Sequence, residues 1–326
     1  KMKLTGVFVI ETGVVNRGDG IGNIATVKKI NTPEGIKVFF SPVSYKRALW
    51  NALIKNKGWK VPIVTKDGGV VQRTGTIIDS EEFDFAGTMV AKPKYEREGS
   101  FLVDNGISIN NYFGDMEFMT NMAISKLYGE NEANIINKEN FYGVYIMPFA
   151  IELDRVGVQE IKTVDTKIKD EDGIEEKIRK IYKALGLEKK ITDSQIQQWV
   201  NIVESIEYNS NTKATKIVLT KQERKRRVKD LLEGMGELAK RIEGSERNLS
   251  PYFSAFSLDY IAPKYMLLIK DYLKKVFSEG GYLDTQDLSQ KVQEFAKNEG
   301  RVIKTADYYN YNSVIDEIIE EIFKES

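Results

Sequence analysis

Leu4-Thr5-Gly6-Val7-Phe8-Val9-Ile10-Glu11-Thr12 decides the fold class. The stretch is short, rich in β-branched and aromatic side chains, and runs straight into glycines. It therefore reads as a strand buried inside a sheet. Gly13 to Asn23 follows with four glycines in eleven residues and with the charges Arg17 and Asp19, so the strand empties into a flexible loop. Ala25 to Ile30 then sets Lys28 and Lys29 side by side, and Ile36 to Phe40 is a second apolar strand. Ser41-Pro42 is a helix start, with Ser as the N-cap and Pro at the first helical position. Behind it Tyr45, Ala48, Leu49, Ala52 and Leu53 recur at helical spacing and mark a core face. Lys46, Arg47, Trp50 and Asn51 fall off that face.

Farther along, Trp59 to Ile78 reads as a hairpin turned at Asp67-Gly68-Gly69. Phe83 to Asn140 is irregular and rich in Gly, Asn and aromatic residues, a pattern expected of functional segments. Phe141 to Leu153 (FYGVYIMPFAIEL) is again a strand. Asp165 to Asn211 is polar, with helical patterns near 174–185 and 191–206, and reads as an insertion. Thr220 and Glu223 make a capping box. The helix they open has a core face of Val228, Leu231, Leu232, Met235, Leu238, Ala239 and Ile242. Its first turns carry Arg224, Lys225, Arg226 and Arg227, which oppose the helix dipole and read either as a functional basic patch or as a solvated face. Pro251 to Ile269 reads as one or two strands broken near Ala262-Pro263, and the tail as helices near 284–296 and 313–323. The order fits an α+β, RRM/ferredoxin-like core: a sheet with two helices on one face.

Composition narrows the chemistry. The chain has 326 residues, enough for one large domain or two modest ones, and its 41% hydrophobic content supports a real core. It contains neither Cys nor His, so thiolate nucleophiles, disulfides, Ser-His-Asp triads and His zinc sites are excluded. Lys plus Arg and Asp plus Glu both number 48, so a nucleic-acid role would need a local basic stripe on a neutral molecule. No apolar run approaches the roughly 18 residues of a membrane span. Lys1-Met2-Lys3 has no signal-like apolar segment, and the cytoplasm is the expected location.

Gly18-Asp19-Gly20-Ile21-Gly22 follows a strand but lacks the GxxxxGK[ST] phosphate-loop pattern. Asn16-Arg17, Lys28-Lys29 and Lys46-Arg47, with the helix N-terminus at Ser41, supply the donors of an anion site. Asp115 with Glu117, and Asp170 with Asp172, are alternating acids of the kind that can bind metal but more often sit in ordinary loops. The aromatics lack the RNP pattern of RNA-stacking strands.

Several segments carry a family likeness by their order and spacing. They are the loop with Asn16-Arg17-Gly18, Asn23-x-Ala25-Thr26-Val27-Lys28-Lys29-Ile30, and Pro42-Val43-Ser44-Tyr45-Lys46-Arg47-Ala48-Leu49. Phe85-Ala86-Gly87-Thr88-Met89, Gly114-Asp115-Met116-Glu117-Phe118-Met119-Thr120-Asn121, Tyr142-Gly143-Val144-Tyr145 and Leu153-Asp154-Arg155-Val156-Gly157 complete the series. Together they resemble the DevR-type backbone subunit of type I-B CRISPR Cascade complexes, the Cas-seven family. The resemblance runs from the first strand to about residue 269.

It implies an RRM-like palm (1–58, 141–155 and 221–326), a finger-like insert (59–140) and a thumb (156–220). It implies a non-enzymatic scaffold without cofactor that polymerises along CRISPR RNA, presents the guide to target DNA, and contacts copies of itself and other Cascade subunits. The RNA-binding positions it implies are Asn16, Arg17, Lys28, Lys29, Ser44, Lys46, Arg47, Arg247 and Asn248. Two alternatives remain. One is a metal-dependent target-RNA nuclease of the type III kind, using Asp19 in the loop after the first strand. The other is a protein-only interaction module.

Overall fold

The opening strand spans Lys3–Thr12 and is apolar on both sides because both sides are covered. Phe8 and Ile10 enter one buried layer, and Val7 and Val9 enter another. A computed structural model describes residues 2–132, 134–258 and 265–324. In it the strand pairs antiparallel along its whole length with Gly143–Glu152, from Lys3 opposite Glu152 to Thr12 opposite Gly143. Gly6 sits opposite Phe149, and a Cβ there would lie 2.2 Å from the Phe149 ring, so the position admits no side chain. On its other edge the strand pairs with Phe253–Ser257. Among the described residues the sheet has eight strands. Its order is Lys304–Asp307, Phe253–Ser257, Lys3–Thr12, Gly143–Glu152, Gly106–Asn111, Gly35–Phe40 and Lys29–Thr32, with Phe101–Val103 also paired to Gly143–Glu152.

Among the described residues, helices Pro42–Lys57, Lys221–Gly236 and Tyr311–Ile322 cover one face of this sheet. Helices Tyr265–Ser278 and Thr285–Asn298 cover the other. The sequence reading placed two helices on one face; the structure places three there and closes the second face as well. The chain is thus an α+β protein built on antiparallel sheets. No helix among the described residues is long and apolar enough to cross a membrane.

The first helix follows its sequence signals. Ser41 accepts the Ser44 amide at 3.2 Å, and Gly58, at φ 68°, ends the helix in the left-handed region that glycine favours. Trp50 is buried, although it lies off the helix's apolar stripe. It stacks on Trp59 (5.9 Å), which in turn stacks on Phe85 (5.5 Å). The hairpin turned at Gly68-Gly69 is present as Ile63–Asp67 and Val70–Thr74. The span 83–140 is more ordered than its sequence suggests. Its strands Phe101–Val103 and Gly106–Asn111 belong to the central sheet, so that part of 59–140 is not peripheral.

The polar span 165–211 is likewise not a loose insertion. Helices Ile174–Ala184 and Asp193–Val200 bury Ile178, Ile181, Tyr182, Ile196 and Trp199 against a small sheet of Val158–Ile161, Val203–Asn209 and Ala214–Leu219. This second core also takes in Ile77, Ile78 and Phe83. The helical pattern expected over 191–206 stops at Val200, because Val203, Ile206 and Tyr208 belong to a strand.

The Lys221–Gly236 helix is capped by Thr220, which accepts the Glu223 amide at 3.2 Å. The reciprocal half of the box is missing. The Glu223 carboxylate turns to Arg226 and Arg227, and the Thr220 amide donates to the Ile202 carbonyl. The helix ends before Ala239 and Ile242, which form a hairpin strand (Ala239–Ile242) with Ser245–Asn248. Gly234 and Gly236 are required by contact, since a Cβ would lie 2.5 Å from Leu53 or 2.2 Å from Tyr311. Residues 265–269, expected as strand, are helical, and the break at Ala262-Pro263 lies outside the described residues.

The basic start of that helix is structural. Arg224 donates to the carbonyls of Val156 and Leu153, and Lys225 pairs with Glu320. Arg226 pairs with Glu81, Glu223 and Asp230. Arg227, 1% exposed, reaches Asp84 at 3.0 Å and Glu223 at 2.8 Å. Asp84 is wholly buried and also receives Arg97 at 2.5 Å and the Gly157 amide at 2.9 Å. Removing one member of such a set strands a charge away from water. Asp84→Ala and Arg227→Met are each expected to lower unfolding free energy by about 3–5 kcal/mol. Urea titration checks this, and a loss below 1 kcal/mol for both would refute it.

Asp79 is a second buried acid. It accepts the Thr76 amide at 2.7 Å and the Tyr182 hydroxyl at 2.5 Å, yet burial pushes it up from 3.8 to about 6. Between those values the folded chain holds a proton that the unfolded chain has released, so this group's contribution to stability falls as pH rises and levels off above about 6. Asp79→Asn is expected to remove that decline. Denaturant midpoints at about pH 4 and 6.5 that differ by the same amount in wild type and variant would contradict it.

Candidate nucleic-acid interface

The loop after the opening strand is fixed from two directions. From the helix side, Asn16 Oδ1 accepts both the Ser41 amide (3.1 Å) and the Ser41 hydroxyl (3.0 Å), locking the loop to the N-cap. From the other side comes the 239–248 hairpin. Its residues Lys240 and Arg247 are cross-strand partners, so their side chains leave the same face. Lys240 Nζ donates to the Val15 carbonyl (2.8 Å) and to Ser44 Oγ. Arg247 Nε donates to the Val14 carbonyl (3.1 Å). Two cations thus clamp consecutive carbonyls beside a helix N-terminus.

Lys28 joins them. Its amide donates to the Asn16 carbonyl, and its charge adds to burial in lowering the Lys240 pKa. Among the described residues, no carboxylate pairs with Lys28, Lys240, Arg241 or Arg247. Like charges held close without counter-ions cost free energy until an anion arrives, which is the electrostatic mark of a phosphate site.

The structure therefore brings Asn16, Lys28, Ser44 and Arg247 together. Arg17 lies on the same loop and reaches the hairpin tip through Glu243 at 3.2 Å, while also donating to the Glu139 carbonyl. Lys29 is held by Glu139 at 2.7 Å and lies 4.5 Å over the Tyr112 ring. Burial raises the Glu139 pKa, but hydrogen bonds from Lys29, the Val27 amide and Tyr112 outweigh it and hold the carboxyl below its ordinary value. Lys46 and Arg47 are not in this cluster. Lys46 donates to the Phe101 carbonyl at 2.8 Å, and burial, then Arg73, lowers its pKa. Arg47 is 55% exposed in its side chain and makes a long 3.5 Å pair with Glu82, which Arg73 also holds. Asn248 lies at the hairpin's end, with Nδ2 3.4 Å from the Tyr308 hydroxyl.

The residue that sequence reasoning missed is Lys240. It was placed inside a helix running to Ile242; the pair Gly234 and Gly236, with Gly244 beyond, was the signal that the helix ends earlier. Base stacking on the sheet face has no surface to use, because helices cover both faces. Asp19 is exposed, and its carbonyl accepts the Thr26 hydroxyl. Asp172 accepts the Lys169 amide and Lys180, as a loop staple does. No group of three or more acidic side chains placed to hold a metal occurs among the described residues.

The profile of the CRISPR-associated negative auto-regulator DevR/Csa2 family matches residues 4–264. The chain belongs to the DevR/Csa2 family. Two solved structures share the DevR/Csa2 chain's fold. A chain of a "CRISPR RNA-guided surveillance complex, pre-nicking" aligns at TM-score 0.58 and 10% identity, covering 98% of this chain and 100% of that one. A chain of a "CRISPR RNA-guided surveillance complex" aligns at 0.53 and 11%, covering 98% and 99%. No curated protein matches this DevR/Csa2 chain by sequence.

Proposed function

We propose that this chain is the CRISPR RNA-holding backbone subunit of a Cascade-type surveillance complex, a scaffold rather than a nuclease. Family membership supports the reading, and the single physical observation that carries it is the uncompensated cationic cluster of Lys28, Lys240 and Arg247 at the Ser41 helix terminus. Such a site takes phosphate and ribose without regard to base, which is what a scaffold for any guide must do, since pairing itself reads sequence.

In this reading the palm is ferredoxin-like. Its four strands are Lys3–Thr12, Gly106–Asn111, Gly143–Glu152 and Phe253–Ser257, with the fourth beside the first and the third between first and second. The helices Pro42–Lys57 and Lys221–Gly236 are its two crossovers. The segments 59–100, 112–140 and 156–220 supply fingers and thumb. The subtype is I-B. Arg17 on the loop and the exposed Arg47 on the first helix extend the grip, with Lys46, whose ammonium the Phe101 carbonyl holds, and Lys29 and Asn248 at its margins. Copies line up on one guide, which pairs with target DNA, and the ends of the array meet other Cascade subunits.

The expected outcome is that the purified protein binds unstructured RNA with affinity falling steeply as salt rises. Lys28→Glu combined with Lys240→Glu should weaken binding more than tenfold and flatten the log–log salt slope by about 1.4, two single-strand phosphate contacts' worth. Lys46→Glu with Arg47→Glu should act in the same direction. A wild-type protein without RNA affinity would favour a protein-only module. Periodic cleavage of complementary RNA with magnesium, lost on Asp19→Ala, would replace the scaffold by a nuclease.

A further inference from the structure

Lys240 differs from the other cations of the clamp in how its ammonium is held. Nζ donates to two acceptors, the Val15 carbonyl at 2.8 Å and Ser44 Oγ. A lysine ammonium has three protons, so among the described residues one direction is left without a protein acceptor. Loss of that third proton breaks neither hydrogen bond. It leaves a lone pair in the open direction, on an amine that the loop and the helix already hold in place. Keeping the charge is also costly there. Lys240 is half-buried, and burial, then the charge of Lys28, lowers its pKa. Desolvation beside a second cation is how a lysine amine becomes a nucleophile near neutral pH.

The electrophile that reaches this amine is one that its neighbours attract. Arg247 is the cross-strand partner of Lys240 and commits Nε to the Val14 carbonyl. Like Lys28, it pairs with no carboxylate among the described residues. The first turn of the Pro42–Lys57 helix carries no acidic residue, so its dipole adds to theirs unopposed. These surroundings favour a phosphate group. A small acyl phosphate joins that anion to a reactive carbonyl. We propose that Lys240 is an acylation site, whose amine takes the acyl group of a small acyl phosphate docked on Lys28 and Arg247. The nitrogen lone pair attacks the carbonyl carbon and a C–N bond forms. The C–O bond to the phosphoryl group breaks, its electron pair leaves with inorganic phosphate, and the surplus proton on nitrogen passes to solvent. The amide product is uncharged and has a single N–H, so it keeps only one of the two hydrogen bonds that Lys240 makes. The loop loses a tie and the cluster loses a cation. Acylation thereby loosens the hold on the guide, a consequence that rests on the RNA-holding function above; the acylation itself does not.

The full-length protein is incubated with acetyl phosphate, and the acetylation rate of each lysine is read by peptide mass spectrometry. Lys240 is expected to react at least about tenfold faster than the exposed Lys66 and Lys126, a small part of what holding two reactants together can supply. Excess inorganic phosphate should slow Lys240 and leave Lys66 unchanged, a comparison within the wild type that no folding defect can imitate. Arg247→Gln should bring the acetyl phosphate rate of Lys240 down towards that of Lys66, whereas its rate with a neutral acetyl ester, which needs no anion site, should stay higher. A Lys240 that reacts no faster than Lys66, or at a rate indifferent to inorganic phosphate, overturns the proposal. A short unstructured RNA should protect Lys240. Lys240→Gln, which mimics the acylated side chain, should flatten the log–log salt slope of RNA binding by about 0.7, one single-strand phosphate contact. Acetylation that inorganic phosphate slows and RNA does not would keep the site and remove the RNA-holding function.

Discussion

The Asp84 carboxylate joins two of the three hydrophobic cores found among the described residues. It sits on a short helix (Glu81–Ala86) between the layer beneath the central sheet and the smaller core around Tyr182 and Trp199. It is wholly buried, and it is met by Arg97 from the 95–98 strand, Arg227 from the capped helix and the Gly157 amide from the turn after the central strand. Two guanidiniums and an amide replace water on both of its oxygens, which offsets the cost of burying it. Three chain segments far apart in sequence are thereby fixed to one point.

Pairing also leaves a chain of zero net charge with a local cationic cluster. Arg226 and Arg227 are consumed by Glu81, Asp84, Glu223 and Asp230, and Lys29 by Glu139. Lys28, Lys240 and Arg247, where the hairpin meets the loop, are among the described cations left without a carboxylate. Charge is sorted by pairing rather than by composition, so the total of 48 against 48 says little about the local field.

The elements legible in the sequence are those whose signals are local. The opening strand, the Ser41-Pro42 helix and the Gly68-Gly69 hairpin depend on propensity, capping and turn chemistry that a few adjacent residues carry. Phe101–Val103 and Gly106–Asn111 escaped because each is too short for a period to show; long-range pairing with Gly143–Glu152, and for the second also with Gly35–Phe40, makes them strands. Trp50 was misplaced because its burial comes from Trp59, outside the helix. Of the candidate site, Asn16 and Lys28 were legible as donors near a helix start, while Ser44 and Arg247 came only from the family resemblance. Lys240 was not, since its role depends on a turn that only the folded hairpin reveals. The basic run at 224–227 looked functional because its partners, Glu81 and Asp84, lie about 140 residues upstream.

The clamp joins residues separated by more than 220 positions: Val14 with Arg247 and Val15 with Lys240. Proteins emerge from the ribosome N-terminus first, at about 5–20 residues per second. The opening strand and its glycine loop are made early, yet the cations that shape them are among the later residues synthesised. A nascent chain therefore has no finished clamp, and the loop takes its final shape only once nearly the whole subunit has been made.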